Sequence, residues 1–205
     1  MSETASNIPF KRKKLEMLLQ GLKLPERYKS NFEQYPTDPH TASMIVFTAF
    51  LNGDISNRVV ADLGCGNGIL SYASALMGAS HVYSIDSDVE MTSLATANCR
   101  NLSVSVMTGN VEAFENRVDT VVMNPPFGSV RKHSDLAFII KAFDISKKIY
   151  SIHNQKAHDF VVELYATKGS IISETRLKLV IPRIYRHHEH DIAEIDAFLL
   201  EVKPD

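Results

Sequence analysis

Short apolar runs alternate with longer amphipathic stretches through the middle of the chain. Val59-Val60-Ala61-Asp62-Leu63 reads as a buried strand, Ile69 to Met77 as a helix, His81 to Ile85 as a strand and Val89 to Arg100 as a helix. Strands follow over Val104 to Thr108, Thr120 to Met123 and Lys148 to Ile152, with helices over about Ser134 to Ser146 and Ala157 to Thr167. Apolar strands alternating with helices predict a mainly parallel sheet with helices on both faces. The end breaks the rhythm. Glu174 to Ile181 and Asp191 to Val202 are long alternating segments with no helix between them, which predicts an antiparallel pair at the sheet edge. Before the core, residues 11–20 form a short helix, and Leu22, Leu24, Tyr28 and Phe32 extend a helical segment past a break at Pro25. Residues 34–39 carry two prolines and read as a loop, and Pro39 opens a helix that runs to about Leu51. The expected organisation is one domain over 1–205, with an N-terminal helical and loop segment (1–55) and an α/β core (56–205).

Composition bounds the picture without changing it. With 205 residues and 44% hydrophobic content, the chain can bury a full core. No apolar run reaches the ~20 residues of a membrane span. The N-terminus has no signal-peptide pattern. Cys65 and Cys99 lack metal-ligand spacing, so no metal site is expected and a reducing, cytoplasmic location is. A net charge of −2 excludes strong nonspecific binding to nucleic acid unless positive charge is concentrated locally, as at Lys11, Arg12, Lys13 and Lys14, or a partner supplies it.

Two turns carry the chemistry. Gly64, Gly66 and Gly68 stand between the first strand and its helix, the context in which a glycine-rich turn brings backbone N–H groups against a ligand. Asp62 precedes the turn and can orient the loop or a ligand ammonium. Asp86 ends the next strand, at the spacing of an acid that accepts from both ribose hydroxyls of an adenosine cofactor. Asn124-Pro125-Pro126-Phe127 follows the fourth strand directly. Two prolines stop the strand and leave its carboxyl end open, where ligands of open α/β sheets bind. An exocyclic amine conjugated to a ring is a poor nucleophile. The Asn124 side-chain oxygen and the Pro125 carbonyl can accept its two N–H groups and stabilise charge as it attacks, while Pro126 holds the turn rigid and Phe127 offers a stacking face.

The segment Asp62-Leu63-Gly64-Cys65-Gly66-Asn67-Gly68 resembles the first motif of class I S-adenosylmethionine enzymes, and the terminal strand pair resembles their Rossmann-like fold. That resemblance implies S-adenosylmethionine held by Asp62, Gly64, Gly66, Gly68, Ile69 and Asp86, with Asn110 and Val111 at its adenine. The pairing of this turn with Asn-Pro-Pro-Phe resembles the amino-methyltransferases. One branch methylates adenine N6 in nucleic acids; the other methylates a glutamine amide of translation release factors. The motif alone does not separate them. Further segments, Glu33 to Thr37, Asp135-Ala137-Phe138 and Tyr150 to His153, resemble the small archaeal and eukaryotic N6-adenine methyltransferases of small-subunit ribosomal RNA. This resemblance implies that Gln34 and Thr37 close over the cofactor, that a flipped-out adenine stacks on Phe127, and that a small zinc-binding activator subunit adds to an open sheet edge, the strand at 103–108 being the natural one. The chain departs from its relatives at Arg186-His187-His188-Glu189-His190, where they are lysine-rich; an RNA-facing loop and a plain polar hairpin tip both fit. The glutamine branch is the alternative, and the 58 residues before the first strand leave little room for its N-terminal helical domain.

Overall fold

The computed structural model describes residues 9, 11–26, 37–127, 135–182 and 192–205. Gln34, the helical extension at Tyr28 and Phe32, and the loop at 186–190 lie outside them. Among the described residues seven strands form one sheet: β1 (Val59–Leu63), β2 (His81–Asp86), β3 (Val104–Thr108), β4 (Thr120–Met123), β5 (Lys148–Asn154), β6 (Gly169–Pro182) and β7 (Ile192–Pro204). Their order is β3-β2-β1-β4-β5-β7-β6. The first five run parallel, and β7 lies antiparallel between β5 and β6.

Helices cover both faces, as the apolar strands require. On one side α1 (Arg12–Leu19), α2 (Pro39–Leu51) and α3 (Ile69–Leu76) bury Leu15, Leu19, Ile45, Val46 and Ala73 against Val60, Val82, Val122 and Ile152. Beside α3, α4 (Val89–Asn98) packs over β2 and β3. On the other side α5 (Leu136–Ile145) and α6 (His158–Ala166) bury Ile139, Ala142, Val161 and Tyr165 against Leu63, Val121, Met123, Ile149 and Phe198. Among the described residues no helix is long and apolar enough to cross a membrane, and no cluster of three His, Cys, Asp or Glu could hold a metal.

Three local readings change. The first helix stops at Leu19, and residues 20–26 are irregular, so Leu22 and Leu24 do not extend it. Side chains compete there with helical pairing: Asn98 accepts from the Lys23 amide (2.9 Å) and donates to the Lys23 carbonyl (3.0 Å). Second, β6 begins at Gly169, ahead of the alternating stretch, and carries a bulge between Ile171 and Ser173 that shifts its register. Third, α4 ends at Asn98, followed by Cys99 and then Asn101 at φ 69°. The hairpin of β6 and β7 continues for five register pairs beyond the end of β5, from Lys178↔Asp196 to Pro182↔Ile192.

The β1–α3 junction shows why glycine is placed where it is. Gly68 has φ +82°, and a Cβ there would stand 3.0 Å from Ala95 Cβ and 3.1 Å from Ala95 Cα. Gly66 also has positive φ (+53°), yet nothing lies within 4 Å of its missing Cβ. Gly68 thus serves close packing of α3 on α4, whereas Gly66 keeps the turn open. We expect Gly68→Ala to cost about 2–4 kcal/mol, combining left-handed backbone strain with overpacking, and Gly66→Ala only about 1–2 kcal/mol. Urea unfolding midpoints of the two variants check the order; equal losses would contradict it.

Candidate active site

The register Leu63↔Met123 sets the carboxyl ends of β1 and β4 side by side at the centre of the sheet. The next residues are Gly64 on one strand and Asn124 on the other, so the glycine turn and the Asn124-Pro125-Pro126-Phe127 turn leave the sheet together. Asp62 is completely buried. Its Oδ2 accepts from the Ser71 amide (2.9 Å) and hydroxyl (2.6 Å), and Ser71 Oγ lies 2.6 Å from Ser84 Oγ. Among the described residues, Asp62 Oδ1 has no hydrogen-bond partner. Burial pushes this carboxyl up to about 7, against the opposing Ser71 donors and with a further upward push from Asp86.

Asp86 ends β2 and accepts from two backbone amides, Gly66 N at Oδ2 (2.9 Å) and Asp88 N at Oδ1 (2.9 Å). It therefore shapes the glycine turn, and each oxygen keeps a second lone pair. Burial raises its pKa, and those amides pull it back. Ile69 opens α3 and is buried. Asn110 caps a short 3-10 turn over Val111–Ala113: Oδ1 accepts from Glu112 N (3.2 Å) and Nδ2 donates to Glu112 Oε2 (2.8 Å). Val111 beside it is buried.

Pro125 is buried, and Pro126 and Phe127 are half-buried, the Phe127 ring packing against the core beneath α1–α3. Asn124 Nδ2 donates to Thr37 Oγ1 (2.9 Å), which brings the residues before α2 onto the turn at 124–127. Of the sequence-predicted residues, Asp62, the three glycines, Ile69, Asp86, Thr37 and the 124–127 turn gather at this rim.

Sequence reasoning passed over three features. Val89, two-thirds exposed, stands just past Asp86 at the start of α4, an apolar surface beside an acid. Asn67 and Asn98 both donate to the Lys23 carbonyl (3.0 Å each), fastening the segment after α1 to the glycine turn. On β5, His153 Nε2 lies 2.7 Å from Ser151 Oγ and 3.1 Å from the Tyr165 hydroxyl, and Nδ1 lies 4.0 Å from Asp135. Burial pushes His153 down to about 3, so the imidazole is neutral. A lone histidine in a strand gives no signal of such a cluster.

Residues 38–148 match the family described as the methyltransferase small domain. The chain belongs to that family. This methyltransferase is 36% identical to an uncharacterised protein of Methanocaldococcus jannaschii, over 94% of each chain. It is 31% identical to the rRNA N(6)-adenosine-methyltransferase METTL5 of Danio rerio, over 95% of this chain and 99% of the relative. Among solved structures, a Pyrococcus horikoshii protein superposes with a TM-score of 0.88 at 34% identity, covering 95% of this chain and 98% of that one. The methyltransferase uses S-adenosylmethionine. Its residues fit that cofactor: a buried acid whose Oδ1 has no hydrogen-bond partner among the described residues precedes a glycine turn whose middle Cβ position is open, and a second acid stands at the neighbouring strand end.

Asp62 has a consequence for stability. Its folded pKa, about 7, lies above the ordinary value of 3.8, so between these values the folded state holds more proton than the unfolded state. Stability of the ligand-free methyltransferase therefore falls as pH rises from 4 to 7, by on the order of 1 kcal/mol per unit from this group. Urea midpoints at pH 5, 6 and 7 should decline more steeply for the parent than for Asp62→Asn. Parallel slopes would show that Asp62 is ionised throughout.

Proposed function

We propose that this methyltransferase methylates the N6 amine of adenine in RNA, and that the RNA is small-subunit ribosomal RNA. The observation that carries the reading is the pairing of the two turns: Asn124 leaves β4 beside Gly64 of β1, so an amine acceptor and a cofactor cradle share one rim. The adenosine in the zebrafish relative's name, together with the near-complete coverage, favours adenine over the glutamine amide of a release factor.

In this reading Asp62 takes the cofactor ammonium, the turn from Gly64 to Gly68 and Ile69 line the methionine part, and Asp86 accepts from the ribose. Asn110 and Val111 take its adenine, and Thr37 closes over it from before α2. S-adenosylmethionine, when bound, supplies an electrophilic methyl group on sulfur. The protein's task is to place and polarise the amine. The Asn124 oxygen and Pro125 carbonyl accept its two N–H groups, stabilising positive charge as it develops on nitrogen. The two prolines fix that geometry in advance. Phe127, braced against the core, stacks on the base, offsetting the few kcal/mol of unstacking that extrusion costs. A methylated ammonium is acidic enough to lose its proton to water, so no strong base is needed.

Lys156 follows β5 at this rim and is exposed, a contact for phosphate. With a net charge of −2, further affinity for RNA comes from a partner. A small zinc-binding activator adding a strand to β3 fits the two sheet edges. β6 carries a bulge and the charged Arg176 and Lys178, which discourage strand addition; β3 (Val-Ser-Val-Met-Thr) carries neither bulge nor charge.

The test offers labelled S-adenosylmethionine with small-subunit ribosomal RNA and a release factor in parallel, followed by nucleoside analysis. Label in N6-methyladenosine is expected, and Asn124→Ala should abolish it while binding cofactor normally. Label in the release factor alone would overturn the assignment. Cofactor binding carries its own pH signature. An ammonium needs Asp62 ionised, so affinity should rise about tenfold from pH 5.5 to 7, while the ligand's amine, with a pKa near 7.7, stays charged. Calorimetry of the parent and Asp62→Asn reads this; the same slope in both would exclude the role.

A further inference from the structure

We infer that Thr37 is a positioning residue for methyl transfer: its hydroxyl holds the Asn124 amide with the nitrogen turned away, so that the oxygen meets the target amine. The inference rests on Asn124 being the acceptor. An asparagine amide ends in two groups of one shape and opposite function, and a half-turn about χ2 exchanges them. Facing an N–H group, the oxygen attracts and the NH2 repels. A turn that presents the wrong end would reject its substrate while looking unchanged.

Asn124 Nδ2 donates to Thr37 Oγ1 at 2.9 Å, and with the hydroxyl accepting from the nitrogen the amide oxygen lies on the other side. Thr37 is itself firmly placed. The next residue, Asp38, caps α2 by accepting from Thr41 N (3.0 Å) and Thr41 Oγ1 (2.7 Å). Pro39 sets the first turn of α2. The Asp38 carboxylate also accepts from Val180 N of β6 at 3.4 Å. Behind the cap, Ala42, Ile45, Val46 and Ala49 are completely buried. Thus α2, anchored in the core and tied to β6, delivers one hydroxyl to a side chain 87 positions further along the chain. A hydroxyl that only covered the cofactor would not need this address.

The two roles separate experimentally. Thr37→Val replaces the hydroxyl with a methyl of similar size, Thr37→Ala removes it, and Thr37→Ser keeps it. Single-turnover transfer to small-subunit ribosomal RNA, at RNA and cofactor concentrations that saturate each variant, should slow on the order of tenfold to hundredfold in the Val and Ala variants. Thr37→Ser should transfer near the parental rate. In 15N spectra the Asn124 side-chain NH2 of the parent and of Thr37→Ser should be protected from exchange, and that protection should vanish in Thr37→Val. Weakened cofactor binding with an unchanged saturated rate would overturn the inference. So would parental transfer by Thr37→Val alongside an inactive Asn124→Ala. Normal transfer by Asn124→Ala would overturn the acceptor reading itself, and this role with it.

Discussion

Everything at the rim depends on β1 and β4 lying in parallel register at the centre of the sheet. Parallel neighbours place their carboxyl ends at one level, and both strands are buried on both faces, so neither can slip without exposing its apolar side chains. Leu63 and Met123 are therefore fixed opposite one another, and the residues that follow them have no freedom of address. Each strand then stops for its own reason. A glycine with positive φ turns the first toward α3, and two prolines stop the second. Both turns thus emerge from rigid strands, the support that precise placement demands.

The same rim carries energy that the fold alone would not choose. Asp62 is an acid sealed among Ser71, Ser84 and backbone, with half of its carboxylate unanswered among the described residues. Asp86 is better compensated, because two backbone amides answer it. The contrast marks two kinds of acid: one that builds the turn, and one whose burial is kept at the expense of stability.

Much of this was legible in the chain. Strand order along the sequence, the glycine turn in its strand-turn-helix setting, the acid at the end of β2 and the proline pair after β4 all have local signatures. Each is a short run whose backbone needs dictate its residues. What pattern could not reach was contact at a distance. Nothing about Thr37 announces Asn124, and nothing about Lys23 announces Asn67 and Asn98. Asn110 illustrates a subtler limit: position singled it out, but the side chain also caps its own turn, an alternative open to any Asn before a short helix. The glycines divided as well, Gly68 serving packing and Gly66 serving access, a distinction that only neighbours in space can draw.

The insertion of β7 between β5 and β6 bears on how the sheet is completed during synthesis. β6 leaves the ribosome before β7, yet among the described residues its one sheet neighbour is β7. Ile149 of β5 must likewise wait for Val202, 53 residues later. A nascent chain can assemble the five parallel strands and their helices first, but it carries β6 as an unpaired ribbon and β5 as an open margin until β7 arrives. Closure of such distant pairs is slow, and exposed strand margins invite wrong partners. The bulge and charges on β6 thus protect a transient state as well as the finished protein, guarding the ribbon through the interval in which it has nothing to pair with.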